Sequence, residues 1–264
     1  LDQAIQRVAW DGDWFIWAIG EDGTVYGTKD YEEGQVYLNT QLWAVISGAS
    51  TEEQADRCLE TVHEKLATSY GLMLCAPPFV KSPVDVMRAV VFNPGIKENA
   101  GIFNHTQGWG VIAEAVRSNG ERAYQYLRAG MPAAYNDRAE IRQMEPYVQG
   151  QTTYSIYSPR PGNTRVSWLT GAAAWWYTAA TQYVLGIRPE IDGLRIDPCI
   201  PAEWEGFKVV RRFRDKILHI EVVNPQRVCR GVKKISLNGD SLAGNLVPAG
   251  KLVQENWVEV VMGK

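Results

Sequence analysis

The chain has 264 residues, of which 45% are hydrophobic, and a formal net charge of −3 at pH 7. This length allows one large domain or two small ones, with enough apolar residues for a sizeable core. Because the basic residues form no long run, we do not expect nucleic acid as the main partner. No apolar stretch approaches the length of a membrane span and no secretory signal opens the chain, so we expect no membrane partner.

The cysteines and histidines lack the spacing of a metal site. The four cysteines form no Cys-x-x-Cys pair, and the three histidines are well separated. We therefore expect no metal and no cofactor, and we expect free buried thiols in a reducing cytoplasm. The first residue is Leu1 rather than Met, so we expect a piece of a longer polypeptide.

Aromatic residues are abundant, with ten Trp and twelve Tyr. Large flat rings stack on the C–H faces of sugars, while neighbouring amides and carboxylates bind hydroxyls. The same rings also fill helical cores. The composition favours a carbohydrate ligand without deciding between these two uses.

Taken in chain order, the first 190 residues predict helices separated by long loops. Apolar periodicity, caps and glycine stops predict helices over 38–48, 51–67, 103–118, 121–128 and 170–185. The last of these is apolar nearly all round, so we expect it to be buried. The loops 70–95 and 145–163 are long enough to suggest a functional role. Asp11 and Asp13 flank Gly12, which is more typical of a turn than of paired catalytic carboxylates.

After residue 190 the pattern changes to short alternating segments over 207–213, 217–223, 232–237 and 257–262. Asn238-Gly239 between two of them is a hairpin signal. These features predict a small antiparallel β domain.

Residues 97–109 place a cation, an acid, an amide and an imidazole just before an amphipathic helix. His105, Trp109, Ile112 and Val116 fall on one face of that helix. Such a cluster is how a concave site is often lined, but spacing alone fits a core histidine equally well.

Thr170-Gly171 is a second candidate site at the beginning of a helix. A threonine at the N-cap offers a hydroxyl, and the next backbone N–H groups are unpaired at the positive end of the helix dipole. Phosphate is the usual occupant of such a position, although plain N-capping accounts for the threonine as well. Since no nucleotide P-loop is present, free phosphate or a sugar phosphate fits better than ATP.

Four motifs together resemble the C-terminal portion of the glycoside hydrolase family 94 phosphorylases, which include the cellobiose and N,N′-diacetylchitobiose phosphorylases. They are residues 97–106, 145–148, 167–175 and 185–201. The resemblance implies a mainly α chain: residues 1–190 as the second half of an (α/α)6 barrel catalytic domain, followed by a small antiparallel β-sheet domain over 191–264. It also implies a homodimer in the full-length parent.

The resemblance implies the reaction as well, a reversible inverting phosphorolysis of a β-linked disaccharide to an α-sugar 1-phosphate and a free sugar. Inorganic phosphate is the co-substrate. The family motifs carry phosphate contacts over to His105, Thr170 and Gly171, and sugar contacts to Lys97, Glu98 and Gln151. Phe92 occupies a position that varies with the acceptor sugar.

One part of the family site has no counterpart in the sequence. The general-acid Asp of the family lies in a Trp-Asn-Asp type motif, which we expect upstream of Leu1, so the fragment would be catalytically incomplete. Asp11 and Asp13 match a different family segment. A non-catalytic carbohydrate-binding or assembly module is an alternative. A hydrolase fits less well, because attack by water would need a carboxylate base and no anion site.

Overall fold

The computed structural model of the protein describes residues 1–264. Seven α-helices are spread along the first two thirds of the chain: α1 (Asp2–Val8), α2 (Leu38–Ile46), α3 (Glu52–Leu66), α4 (Asn104–Val116), α5 (Gly120–Ala129), α6 (Ala139–Arg142) and α7 (Thr170–Thr178). A π-helical segment, Ala179–Val184, follows α7, and short 3-10 helices occur at Arg88–Val91, Pro132–Arg138 and Ala249–Lys251. None of these helices has the length and apolar character that crossing a membrane requires.

Nine two-residue strands lie between the helices: β1 (Ala18–Ile19), β2 (Val25–Tyr26), β3 (Val36–Tyr37), β4 (Ala67–Thr68), β5 (Gly71–Leu72), β6 (Cys75–Ala76), β7 (Ile102–Phe103), β8 (Thr152–Thr153) and β9 (Thr164–Arg165). The C-terminal strands are β10 (Ile187–Pro189), β11 (Gly193–Ile196), β12 (Gly206–Phe213), β13 (Lys216–Val223), β14 (Val232–Leu237), β15 (Asp240–Ser241), β16 (Leu246–Pro248) and β17 (Glu255–Met262).

The expected mainly α fold is wrong. The chain is 33% helical and 25% strand, with several sheets, so it is a mixed α/β structure. The connections between helices, which we expected to be loops, pair as short antiparallel strands, for example in the sheet β7-β8-β9. Strands of two residues leave no alternating pattern in a sequence, which is why most of them were not predicted.

The C-terminal sheet also differs from the expected antiparallel arrangement. Its strand order is β12-β13-β17-β14-β15, and β13 pairs with β17 in parallel. Parallel strands need a long crossover connection, and the roughly thirty residues between these two strands provide it. The alternating segments therefore predicted the strands but not their directions.

The chain forms two compact units, each with its own core. The first contains residues 1–113 and 126–176, and the second contains residues 114–125 and 177–264. Fully buried side chains include Leu38, Leu42, Leu66 and Leu72 in the first unit and Leu194, Ile196, Leu218 and Ile220 in the second. The domain division at residues 190 and 191 stays a prediction.

Helix α7 is not buried all round, although the sequence predicted that it would be. Ala172 and Trp176 are buried, whereas Ala173 and Ala174 are exposed and Tyr177 is 66% exposed. Alanine side chains are small, so little hydrophobic free energy is lost when they face solvent. A run of alanines therefore does not by itself predict burial.

Candidate functional site

His105 lies in the first turn of α4, as the motif predicted, and is partly buried. Its ring meets the edges of Phe103 and Trp109, with centroid distances of 5.7 and 5.0 Å. Burial lowers the pKa of His105 below its ordinary value, because desolvation disfavours the imidazolium. The neutral ring has one nitrogen that donates and one that accepts a hydrogen bond.

Three tryptophans from different helices form a cluster next to His105. Trp109 of α4 contacts Trp43 of α2 and Trp175 of α7 edge-to-face, at 5.4 and 5.7 Å. The Nε1 atom of Trp109 is buried and has no hydrogen-bond acceptor. Helices α4 and α7 approach closely here, since a Cβ atom on Gly108 would lie 2.8 Å from the carbonyl oxygen of Trp175. Through Trp109, this cluster packs against one side of the His105 ring.

The segment Gln149–Gln151 joins the beginnings of α4 and α7. The N–H of Asn104 donates to the carbonyl oxygen of Gln151 at 2.9 Å, and the Asn104 side chain donates to Gly150 at 3.0 Å. The N–H of Leu169, just before α7, donates to the carbonyl oxygen of Gln149 at 3.0 Å. Three consecutive residues therefore hold the helix ends that carry His105 and Thr170.

Thr170 and Gly171 are the first two residues of α7, and both are exposed. The helix begins at Thr170 as predicted, but Thr170 lies inside it rather than at the N-cap. A Cβ atom on Gly171 would meet nothing within 4 Å, so the space beside its Cα atom is open. The first N–H groups of a helix lack intrahelical partners, which makes this end a suitable position for an anion.

The backbone just before Thr170 is strained. Val166 and Trp168 have φ angles of 55° and 64°, in the left-handed region that β-branched and bulky residues rarely adopt. Residues in this region cost roughly 1–3 kcal/mol each and are frequent at functional sites.

The loop that carries Lys97 and Glu98 is organised by Asn99, which is fully buried. Its side-chain oxygen accepts the N–H of Phe79 at 2.7 Å, and its amide donates to the carbonyl oxygens of Phe79 and Phe92 at 2.8 Å each. One side chain therefore connects two distant turns of the loop 70–95 with the Lys97 motif.

Within this loop, Lys97 lies over the ring of Phe92, with 5.5 Å between Nζ and the ring centroid. Lys97 has a φ angle of 47°, and Glu98 is exposed. A Cβ atom on Gly101 would lie 2.4 Å from the backbone nitrogen of Lys97, so glycine is required there for the loop to close.

The Lys97 loop is attached to the chain that follows Gln151. The N–H of Ser155 donates to the carbonyl oxygen of Gly95 at 2.9 Å, and β7, immediately after the loop, pairs with β8. Backbone hydrogen bonds therefore connect the residues just before His105 and Thr170, Asn104 and Leu169, to the segment that contains Gln151. Phe92, Lys97 and Glu98 lie on a neighbouring loop bonded to the same region.

Arg142 is a positioning residue that the sequence did not reveal. Its side chain is 5% exposed and donates to the carbonyl oxygens of Glu145 and Val148, at 2.7 and 2.6 Å. It thereby shapes the loop that leads to Gln151. A lone arginine in a polar stretch gives no sequence signal for such a role. The contact of Gln149 with the beginning of α7 gives no sequence signal either.

Two other features lie apart from these residues. Asp11 accepts hydrogen bonds from Thr28 and Lys29, and Asp13 pairs with Arg57 at 2.8 Å, which agrees with a structural turn. An apolar cavity of about 290 Å³ is lined by none of the predicted site residues; Tyr26, Tyr31, Tyr37, Phe79 and Met87 are among those that line it.

Comparison with known proteins agrees with the resemblance of the motifs. Residues 1–186 match the family model described as the glycosyl hydrolase 94 superfamily, catalytic domain. The chain is 38% identical to an N,N′-diacetylchitobiose phosphorylase from Vibrio furnissii over 99% of its own length and 33% of that protein. It is 33% identical to a solabiose phosphorylase from Paenibacillus borealis over 94% of its own length and 32% of that protein.

Among solved structures, a family GH92 alpha-mannosidase from Bacteroides thetaiotaomicron aligns with the whole chain and 32% of that structure, at 12% identity and a TM-score of 0.38. This likeness is too low to inform the fold. The chain spans about a third of the length of the curated relatives it matches. Since the family model covers more than half of the chain, the protein belongs to the glycosyl hydrolase 94 superfamily.

Proposed function

We propose that this chain is the phosphate-binding part of a disaccharide phosphorylase, which converts a β-linked disaccharide and inorganic phosphate to an α-sugar 1-phosphate and a free sugar. The observation that carries the proposal is the segment Gln149–Gln151, which holds the beginnings of α4 and α7 together. Phosphorylases of N,N′-diacetylchitobiose and solabiose among the relatives support the reaction class.

His105, Thr170 and the amide of Gly171 would bind the phosphate. The imidazole offers one N–H donor, the threonine a hydroxyl, and the helix beginning its unpaired N–H groups. The dipoles of α4 and α7 both place their positive ends at these residues, which favours a dianion. The burial that lowers the pKa of His105 also reduces the water that competes for its N–H.

Lys97, Glu98 and Gln151 would bind the sugar hydroxyls, since ammonium, carboxylate and amide groups supply donors and acceptors. Phe92 lies against Lys97 and would contribute an apolar surface to the acceptor subsite. The left-handed backbone at Lys97 fixes the direction in which this side chain leaves the loop.

In this mechanism a phosphate oxygen attacks the anomeric carbon while the glycosidic C–O bond breaks. The leaving oxygen takes a proton from a carboxylic acid, and the configuration inverts. No enzymic base is needed, because the nucleophile is already an anion that has only to be positioned and its charge balanced. We place the acid outside these 264 residues and the enzyme in the cytoplasm, acting as a homodimer without metal or cofactor.

The test is phosphate-dependent release of sugar 1-phosphate from cellobiose and from diacetylchitobiose. It compares this chain with a protein extended to the length of the relatives, each with and without His105→Ala. Activity confined to the extended protein with His105 intact is expected. Activity in the 264-residue chain would contradict the position of the acid. Sugar binding without phosphorolysis in either protein would favour a non-catalytic binding module.

A further inference from the structure

The five-stranded sheet of the second unit carries an exposed row of side chains across three strands. Val210 of β12 lies opposite His219 of β13, which lies opposite Trp257 of β17. Val210 is 68% and Trp257 56% exposed. The residues that alternate with them, including Leu218, Ile220 and Val258, are buried. Because successive side chains of a strand point to opposite faces, this row stands on the face away from the core.

His219 holds the indole of Trp257 in place. The two rings stack with centroids 5.3 Å apart and an interplanar angle of 14°. His219 is itself oriented by a hydrogen bond of 2.8 Å between its Nε2 and Glu255. The imidazole therefore packs on one face of the indole, while Trp257 remains 56% exposed.

Two concavities share Trp257 and Glu259. One, of about 320 Å³, lies on the His219 side, where it is also lined by Lys208, Val210 and Glu221. The other, of about 480 Å³, is lined on the β14 side by Asn238 and Gly239, together with Val253 and Glu255. The second concavity lies on the side of the indole that His219 does not cover.

The polar groups around the indole are mainly hydrogen-bond acceptors, and one of the three carboxylates, Glu221, has a cationic partner. Glu221 pairs with Lys208 at 2.9 Å, Glu255 bonds to His219, and Glu259 accepts from Ser236 at 3.2 Å. Each carboxylate has further lone pairs that can accept hydroxyl hydrogens. A flat apolar ring beside hydroxyl acceptors is the chemistry that recognises a pyranose, which has an apolar C–H face and peripheral hydroxyls.

We propose that Trp257 and its two flanking concavities bind a neutral oligosaccharide. One pyranose ring would lie in the concavity on the open face of the indole, and a neighbouring ring would lie in the concavity on the His219 side. The inference rests on the sheet face alone and is independent of the phosphorolysis proposed above. A cationic amine is the competing ligand class, because it would also approach an indole beside carboxylates.

The test is calorimetric titration of the protein with cellohexaose and, as a cationic counterpart, with a glucosamine hexamer. We expect Trp257→Ala to lower the affinity for cellohexaose at least about tenfold, because the stacking surface is lost. Trp257→Tyr retains an aromatic face and should stay within about threefold of the unchanged protein. Ile191→Ala, which truncates an 88% exposed apolar residue of the same unit, is the matched control and should have no effect.

Two further variants distinguish this surface from the Lys97 loop and from a cation site. Glu98→Ala removes a proposed sugar contact of the loop that carries Lys97, so the cellohexaose binding that persists in this variant belongs to the indole. Glu259→Gln, which keeps the acceptor and removes the charge, should weaken that binding only slightly. The proposal is overturned if Trp257→Ala binds cellohexaose normally, or if the unchanged protein does not bind it at millimolar concentrations. Preference for the glucosamine hexamer, abolished by Glu259→Gln, would identify a cation site instead.

Discussion

At the scale of single residues, the candidate site depends on two side chains with specific surroundings, Asn99 and His105. Asn99 makes three hydrogen bonds to backbone groups of Phe79 and Phe92. His105 is packed against aromatic rings, and its pKa is lowered by burial. Both side chains therefore have properties that a single substitution can test.

Asn99→Ala should destabilise the protein by about 2–4 kcal/mol, because it leaves the buried backbone groups of Phe79 and a partly buried carbonyl oxygen of Phe92 without partners. Urea unfolding measures the change. Asn93→Ala, on an exposed residue of the same loop, is the control and should change stability little. Equal effects of the two substitutions would show that Asn99 does not organise the loop.

The lowered pKa of His105 predicts a pH dependence of stability. In the unfolded chain the imidazole titrates near its ordinary value of about 6.5, while in the folded protein it titrates lower. Between these values the unfolded state binds more protons, so the free energy of unfolding falls as the pH drops below neutrality and levels off below the folded pKa.

Urea unfolding at several pH values between neutrality and the onset of acid denaturation would measure this contribution. His105→Gln should reduce the loss of stability on acidification. The control is Thr181→Val, which changes the π-helical segment after α7 and removes no titratable group; it should keep the pH dependence of the unchanged protein. An identical pH profile for His105→Gln would show that the imidazole titrates at the same pH in both states.

At the scale of elements, loops are held by single side chains rather than by long ladders. Arg142 joins α6 to the loop before Gln151, and Gly101 allows the Lys97 loop to close. The helix beginnings that carry His105 and Thr170 share the backbone of Gln149–Gln151. Substitutions of these connecting residues should weaken sugar or phosphate binding, although the residues themselves are not placed in contact with either ligand.

Arg142→Met should destabilise the protein by about 2–4 kcal/mol, since the carbonyl oxygens of Glu145 and Val148 lose a charged donor. It should also weaken sugar binding that depends on Gln151. Arg138→Met replaces an arginine whose side chain is 48% exposed and serves as the control in the same calorimetric and unfolding measurements. If both variants behaved alike, Arg142 would have no special role in positioning the loop.

At the scale of the whole molecule, the four cysteines form no disulfide and differ in environment. Cys58, Cys75 and Cys199 are buried, while Cys229 is partly exposed. Burial raises the pKa of Cys75 and of Cys199 to about 12, so few thiolates form at either position near neutral pH.

In the native protein at pH 8, iodoacetamide should therefore label Cys229 first, and all four cysteines should react only after unfolding. Mass spectrometry locates the labelled residues, and Cys229→Ser should abolish the fast phase. Fast labelling of Cys75 or Cys199 in the folded protein would contradict their buried positions.

The sequence predicted the long periodic elements better than their surroundings. Apolar spacing and glycine stops predicted helices at the positions of α3, α4 and α7. The motifs predicted that His105 and Thr170 lie at the beginnings of two of these helices. Most of the two-residue strands were missed because they leave no periodic signal. The parallel pairing of β13 with β17 was missed because direction depends on connections between distant segments. The roles of Asn99 and Arg142 are visible only once their distant backbone partners are known.

The proposed phosphate site is formed by the beginnings of α4 and α7 together. The decisive measurement is calorimetric titration of the protein with inorganic phosphate. Thr170→Val and Thr181→Val are compared as a matched pair. Both remove one hydroxyl, but that of Thr181 bonds to the carbonyl oxygen of Tyr177. We expect Thr170→Val and His105→Ala each to lower phosphate affinity at least about tenfold, with Thr181→Val unchanged. Unchanged affinity in Thr170→Val and His105→Ala would contradict the claim.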